Sequence, residues 1–133
     1  MRGDEARIVD AFGNWLRQRG WLIEEDPGYI DLVATRNGQH LYAEAKGRTD
    51  SLGLDIDTLY GQLLRRIPPV PVGSSTHLLA VVVPDTAVKL AQRVPLTVRE
   101  ALNIHIYGVD STGTVHPAAD RPDPTQPSVR PST

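Results

Sequence analysis

An α/β domain with a mixed central sheet flanked by helices is the fold class this sequence predicts, and three observations predict it. Apolar residues recur at helical spacing between positions 4 and 19. An Asn37-Gly38 pair separates two extended runs. Residues 76–83 are almost continuously apolar. These are the marks of an amphipathic helix, a tight β-hairpin and a central strand covered on both faces.

The first helix is expected over residues 4–19, where Val9, Phe12 and Leu16 form the apolar stripe, Ile8 and Trp15 widen it, and Gly20 supplies the stop. Residues 21–25 read as a short strand and Asp26-Pro27-Gly28 as a turn. In the hairpin, residues 29–35 and 40–46 flank Arg36-Asn37-Gly38-Gln39. With Asn37-Gly38 as a two-residue loop, Arg36 faces Gln39, Val33 faces Tyr42 and Asp31 faces Glu44. Residues 47–57 show no clear period and read as a loop over the hairpin's end. A second helix is expected from residue 57 or 58 to 67, with Leu59, Leu63 and Ile67 on one face and Pro68-Pro69 as its stop. Residues 71–75 read as linker. Pro84-Asp85 begins a third helix through about Val94, and residues 103–108 form a last strand with Ile104 and Ile106 facing one way. The expected order is α-β-β-β-α-β-α-β. From Pro117 onward five prolines punctuate a polar stretch with almost no large apolar residue. Burial there cannot offset ordering entropy, so residues 1–116 are expected as one domain and 117–133 as a disordered tail.

Composition narrows the function classes. The 133 residues suffice for one domain with its own core, with 40% hydrophobic and 23% charged residues. No apolar run approaches membrane-spanning length and the first residues lack a signal-peptide pattern, so the expected location is the cytoplasm, with no membrane partner. Without cysteine there is no disulfide, thiolate zinc site or thiol nucleophile, and any metal must be held by oxygen or histidine nitrogen. The net charge of −2 runs against the basic surplus usual in phosphate-binding domains. Charge can be local, however: Arg65-Arg66 and Lys46-Gly47-Arg48 read as a positive rim around an acidic centre.

That centre is Asp31 and Glu44. Like charges directly opposite on a sheet are destabilising, so a chain that keeps them is expected to hold a cation between them. Lys46 shares the strand face of Glu44 because side chains alternate with period two. Glu5 extends the first helix's stripe. It reads either as a further inward-facing or water-mediated ligand, or as an acid favoured by the positive end of the helix dipole. Gln62 flanks the second helix's stripe, either as ordinary surface or as an amide reaching a water or phosphate oxygen. His40, His77 and His105 are scattered without ligand spacing and read as structural polar residues, and His116 as part of the tail. There is neither a nucleophile elbow nor a Gly-rich phosphate loop.

Taken in order, Glu5 on a helix, Ile30-Asp31, Glu44-Ala45-Lys46 across a hairpin and Gln62 on the next helix resemble the PD-(D/E)XK, or restriction-endonuclease-like, nuclease superfamily. In layout they look most like the small Holliday-junction-resolvase-like nucleases. The resemblance covers residues 4–109 with short motifs, and Ile30 stands where the family name expects Pro. It implies an αβββαβ core and hydrolysis of DNA phosphodiester bonds, assisted by Mg²⁺ or Mn²⁺, in repair, recombination or defence. Asp31, Glu44 and the Ala45 backbone carbonyl would hold the ion, with Glu5 supporting a second ion or a water. Lys46 would orient or deprotonate the attacking water, and Gln62 would trim the geometry. DNA is the expected partner, and a homodimer would supply grip by joining two shallow surfaces. The alternative is a catalytically silent module that keeps the fold to bind DNA or protein.

Overall fold

The computed structural model describes residues 4–24, 27–69 and 76–126. Helix α1 (Asp4–Gln18) buries Ile8, Phe12 and Leu16. The stripe is therefore centred on Ile8, with Val9 and Trp15 at its margins. Its end is a Schellman motif. Gly20, at φ +88, donates to the Arg17 carbonyl, and Trp21 donates to that of Leu16. Strand β1 (Leu22–Glu24) pairs antiparallel with β2 (Leu32–Arg36), and β2 pairs antiparallel with β3 (Gln39–Ala45). Asn37 and Gly38 both have positive φ, as a type I′ turn requires. The observed register sets Arg36 against Gln39 and Val33 against Tyr42, as the turn residues predict.

Helix α2 (Leu52–Arg66) starts five residues earlier than the period of Leu59, Leu63 and Ile67 suggests. Gly53 and the run of aspartates around it hide the first turns, yet Ile56, Leu59, Tyr60 and Leu63 are its buried face. Asp55 in the first turn suits the dipole's positive end, and Ile67 leaves the helix in extended conformation ahead of Pro68. The expected linker at 71–75 lies outside the described residues, as does Asp26 of the first turn.

Strand β4 (His77–Pro84) is buried on both faces and runs parallel to β3 on one side and to β5 (Ile104–Val109) on the other. The third helix is shorter than expected. A 3₁₀ turn (Asp85–Ala87) leads into α3 (Val88–Ala91), and Pro95 then opens a separate helix, α4 (Leu96–Leu102). A left-handed Asn103 at φ 56 closes α4. A sixth strand, β6 (Val115–Pro117), lies antiparallel to β5. The strands follow one another in the six-stranded mixed sheet in chain order, β1 through β6. One apolar layer, built on α1, takes in Leu32, Leu41, Ala43 and Val82; the other, built on α2, takes in Val33, Tyr42, Val81 and Ile106. Among the described residues no helix is long and apolar enough to cross a membrane.

Residues 118–126 correct the expectation of a disordered tail, while 127–133 lie outside the described residues. Polar anchors order this strap where apolar burial is scarce. Arg121 donates to the Ile104 carbonyl, and Arg99 pairs with Asp120 at 2.7 Å. Arg36 donates to the carbonyls of Pro124 and Thr125, and Thr125 is wholly buried. His116 is likewise fastened, 2.8 Å from Asp110. The strap also covers His105, whose pKa is depressed to about 4 by burial first and by Arg121 second. Because the folded value lies below the ordinary 6.5, the stability this neutral ring contributes is present above pH 6.5 and is lost as pH falls through 4. The loss amounts to roughly 3 kcal/mol at about 1.4 kcal/mol per pKa unit. Urea midpoints at pH 7 and 4.5 should therefore lie closer together in His105→Gln than in the wild type; an unchanged gap would assign acid sensitivity to other groups.

Candidate functional site

The hairpin places the site. The β2 ladder begins at Leu32, opposite Ala43, and one more step of the same register sets Asp31 against Glu44. Asp31 Oδ2 accepts the Ala45 N–H at 2.8 Å, so its side chain grips the opposite strand beyond the last paired residue. Glu44 lies on the face covered by α2 and is only 1% exposed. Its pKa rises to about 8, chiefly through burial and then through a hydrogen bond and like charge from Asp31, with Arg66 acting in the opposite sense. The two carboxyl groups therefore touch, and at neutral pH a proton or a cation must hold them together.

A cation from the protein already reaches this pair. Arg66, in the last turn of α2, places Nη1 3.1 Å from Glu44 Oε1. Sequence reasoning put Arg66 in a basic rim and did not find its contact with Glu44. The available signal was the four-residue step from Gln62, which puts both side chains on one helical stripe. Gln62 is half-buried on that stripe.

Lys46 is half-buried, and its N–H continues the ladder to the Val82 carbonyl at 3.0 Å, so strand alternation keeps it on the Glu44 face. Glu5 is placed differently. It stands in the first turn of α1, in the layer across the sheet, and among the described residues no three His, Cys, Asp or Glu side chains form a metal-holding group. The structure thus brings together Asp31 and Glu44, with Lys46 beside them in register. The backbone of Glu5 is nevertheless close to the segment that follows Lys46. A Cβ added to Gly47 would sit 2.4 Å from the Glu5 nitrogen and 2.7 Å from the Asp4 carbonyl carbon, and Asp4 Oδ2 accepts the Arg48 N–H.

That packing makes Gly47 a sensitive position. Both opposing atoms are backbone, so Gly47→Ala must push α1 away from the end of β3, at a cost of about 1–3 kcal/mol. Denaturant titration should show the loss, and a midpoint equal to that of the wild type would mean the helix start yields freely.

Asp31 also lines a groove of about 240 Å³ between α1 and the β1–β2 edge, together with Asp10, Asn14, Arg17 and Glu24. Its acids outnumber its single arginine, so it attracts cations more than phosphates. Basic side chains stand elsewhere: Lys46 and Arg48 follow the end of β3, and Arg65 and Arg66 lie in the last turn of α2. His40 and His77, scattered in sequence, face each other across β3 and β4 with ring centroids 5.3 Å apart, and Tyr42 stacks alongside.

From α1 to β4 the order is αβββαβ, the core order expected from the sequence, with the acid pair on the hairpin. Two crystal structures share the architecture. One is an XisH family protein from Nostoc punctiforme PCC 73102, with a TM-score of 0.57 and 19% identity over 83% of this chain and 96% of that one. The other is an fdxN element excision controlling factor protein from Anabaena variabilis, with a TM-score of 0.52 and 19% identity over 84% and 96%. At this identity the likeness is one of fold. No protein-family model matches the chain, and no curated protein matches it.

Proposed function

We propose that the chain is a divalent-cation-dependent nuclease that cuts DNA during excision or recombination. The observation carrying this reading is the contact between the Asp31 and Glu44 carboxyls on one hairpin, one of them almost fully buried. Support for DNA excision as the setting comes from the fold likeness to a protein named as an excision controlling factor.

The donor set fits a hard cation: two carboxylates in contact, both supplying oxygen, beside a strand end whose Ala45 carbonyl can add a third. Mg²⁺ or Mn²⁺ bound there would activate a water for attack and neutralise charge on the phosphate. Asp31 and Glu44 would hold the ion. Lys46 orients the attacking water and stabilises negative charge as the phosphorus gains its fifth oxygen. Gln62 supports the geometry from α2. Glu5, at the start of α1, would support a second ion or a metal-bound water. A homodimer would join two shallow surfaces and supply the grip that a net charge of −2 leaves short.

A second reading, a catalytically silent module that binds DNA or protein, is favoured by one observation: Arg66 already sets a positive charge against Glu44 without any metal. A cleavage screen separates the two. Purified protein is incubated with linear, branched and single-stranded DNA and with RNA, in Mg²⁺ or Mn²⁺, alongside Asp31→Asn prepared identically. Cutting by the wild type alone supports the nuclease. Binding without cutting across the panel supports the module.

A further inference from the structure

Arg66 spans two environments. Its side chain is 41% exposed, while the Glu44 carboxylate it reaches is 1% exposed, and the two meet through Nη1 and Oε1 at 3.1 Å. A guanidinium carries five N–H donors in a rigid fork that matches carboxylate and phosphate alike. One donor thus satisfies the buried acid, and the exposed part of the fork faces solvent from the last turn of α2, next to Arg65. Glu44 needs one positive partner; with Asp31 already against it, Arg66 and a divalent ion are competing counter-charges for the same carboxylate.

We propose that Arg66 is a phosphate-gripping, positioning residue for the nucleic-acid strand, kept on Glu44 until a divalent cation takes its place. This inference rests on reading Asp31 and Glu44 as an ion site. Ion entry relieves Glu44 of its need for the guanidinium. The freed fork then turns outward to a backbone phosphate, on the same sheet face as Lys46. The ion and the nucleic acid therefore bind with positive cooperativity, because the first ligand removes a contact that competes with the second. Gln62, one helical turn before Arg66, steadies the stripe from which the fork swings.

The test uses the full chain, Ca²⁺ as the ion and a short DNA duplex as the probe, and reads affinity against salt concentration instead of cleavage. In the wild type, Ca²⁺ should steepen the salt dependence by about one phosphate contact and tighten binding about tenfold. Arg66→Gln should abolish that increment, so the affinity it loses is larger with Ca²⁺ than without. Glu44→Gln releases the fork permanently, so its metal-free binding should match that of the Ca²⁺-loaded wild type and show no response to Ca²⁺. The glutamine variant also guards against misfolding of Arg66→Gln, since it retains Arg66 and removes the buried charge. An equal effect of Arg66→Gln with and without Ca²⁺, or none in either, overturns the proposal. Calorimetry of Ca²⁺ with the DNA-free protein separates the two claims. Heat that is lost in Asp31→Asn, together with a Ca²⁺ increment in DNA affinity that survives Arg66→Gln, overturns the Arg66 exchange alone. Absence of heat in the wild type overturns the ion site and the exchange with it.

Discussion

Lys46→Ala is expected to lower DNA cleavage by roughly 10²–10⁴-fold, the range associated with losing a positioned proton-transfer group, while leaving DNA affinity largely intact. Its proposed contact forms with charge that develops during the reaction, so turnover falls more than ground-state binding. The side chain is half-buried at the end of β3, and its backbone N–H keeps its bond to Val82 whatever the side chain, so the ladder survives the substitution. Single-turnover cleavage, a binding titration and a melting curve on identically purified proteins check the three parts. Cutting by the alanine variant at the wild-type rate would remove Lys46 from the chemistry. Asp31→Ala and Glu44→Ala should also abolish cutting, because each removes a proposed ion ligand.

Glu44→Gln should stabilise the metal-free protein at alkaline pH. The folded pKa of Glu44, about 8, lies above its ordinary 4.5. The native state therefore retains a proton that the unfolded chain has released, and the associated stability is full below pH 4.5 and lost as pH rises through 8. At about 1.4 kcal/mol per unit, the loss is on the order of several kcal/mol. Glutamine keeps the shape and can donate to Asp31 at any pH, so the variant's denaturation midpoint should be flatter across this window and higher at its top. Mg²⁺ or Mn²⁺ should raise the wild-type Tm by binding the native form, and should do so far less in Glu44→Gln or Asp31→Asn. An equal ion-induced shift in all three proteins would place the ion elsewhere.

What the sequence made legible was what local chemistry dictates. The Asn37-Gly38 turn set the hairpin register, and the register brought Asp31 to Glu44. The unbroken apolar run located β4, and the helical stripe located α1. The first turns of α2 were hidden because Gly53 and the nearby aspartates weaken helix propensity, while tertiary burial of Ile56 and Leu59 outweighs it. The strap at 118–126 was hidden for a different reason. Its order comes from Arg36, Arg99 and Arg121, which bond to it from distant parts of the chain or fasten it back onto the sheet. The four-residue step from Gln62 set Arg66 on a helical stripe, but that the stripe meets Glu44 depends on how α2 crosses the sheet. Glu5, in the first turn of α1, starts that helix beside the segment that follows Lys46, a close approach that no periodicity reports.

The chain-order sheet bears on folding kinetics. A hairpin with a two-residue turn can close in microseconds, well before β4 and α2 dock. Asp31 and Glu44 therefore meet while still surrounded by water, where charges a few ångströms apart repel weakly. Their conflict becomes severe only when later elements seal Glu44 from solvent, on the native side of the folding barrier. Glu44→Gln should thus slow unfolding and leave the folding rate nearly unchanged, a φ-value near zero at a position whose equilibrium effect is large. A chevron plot at pH 8.5 without metal reads both arms; a change confined to the folding arm would show that the acids are buried before the barrier is crossed.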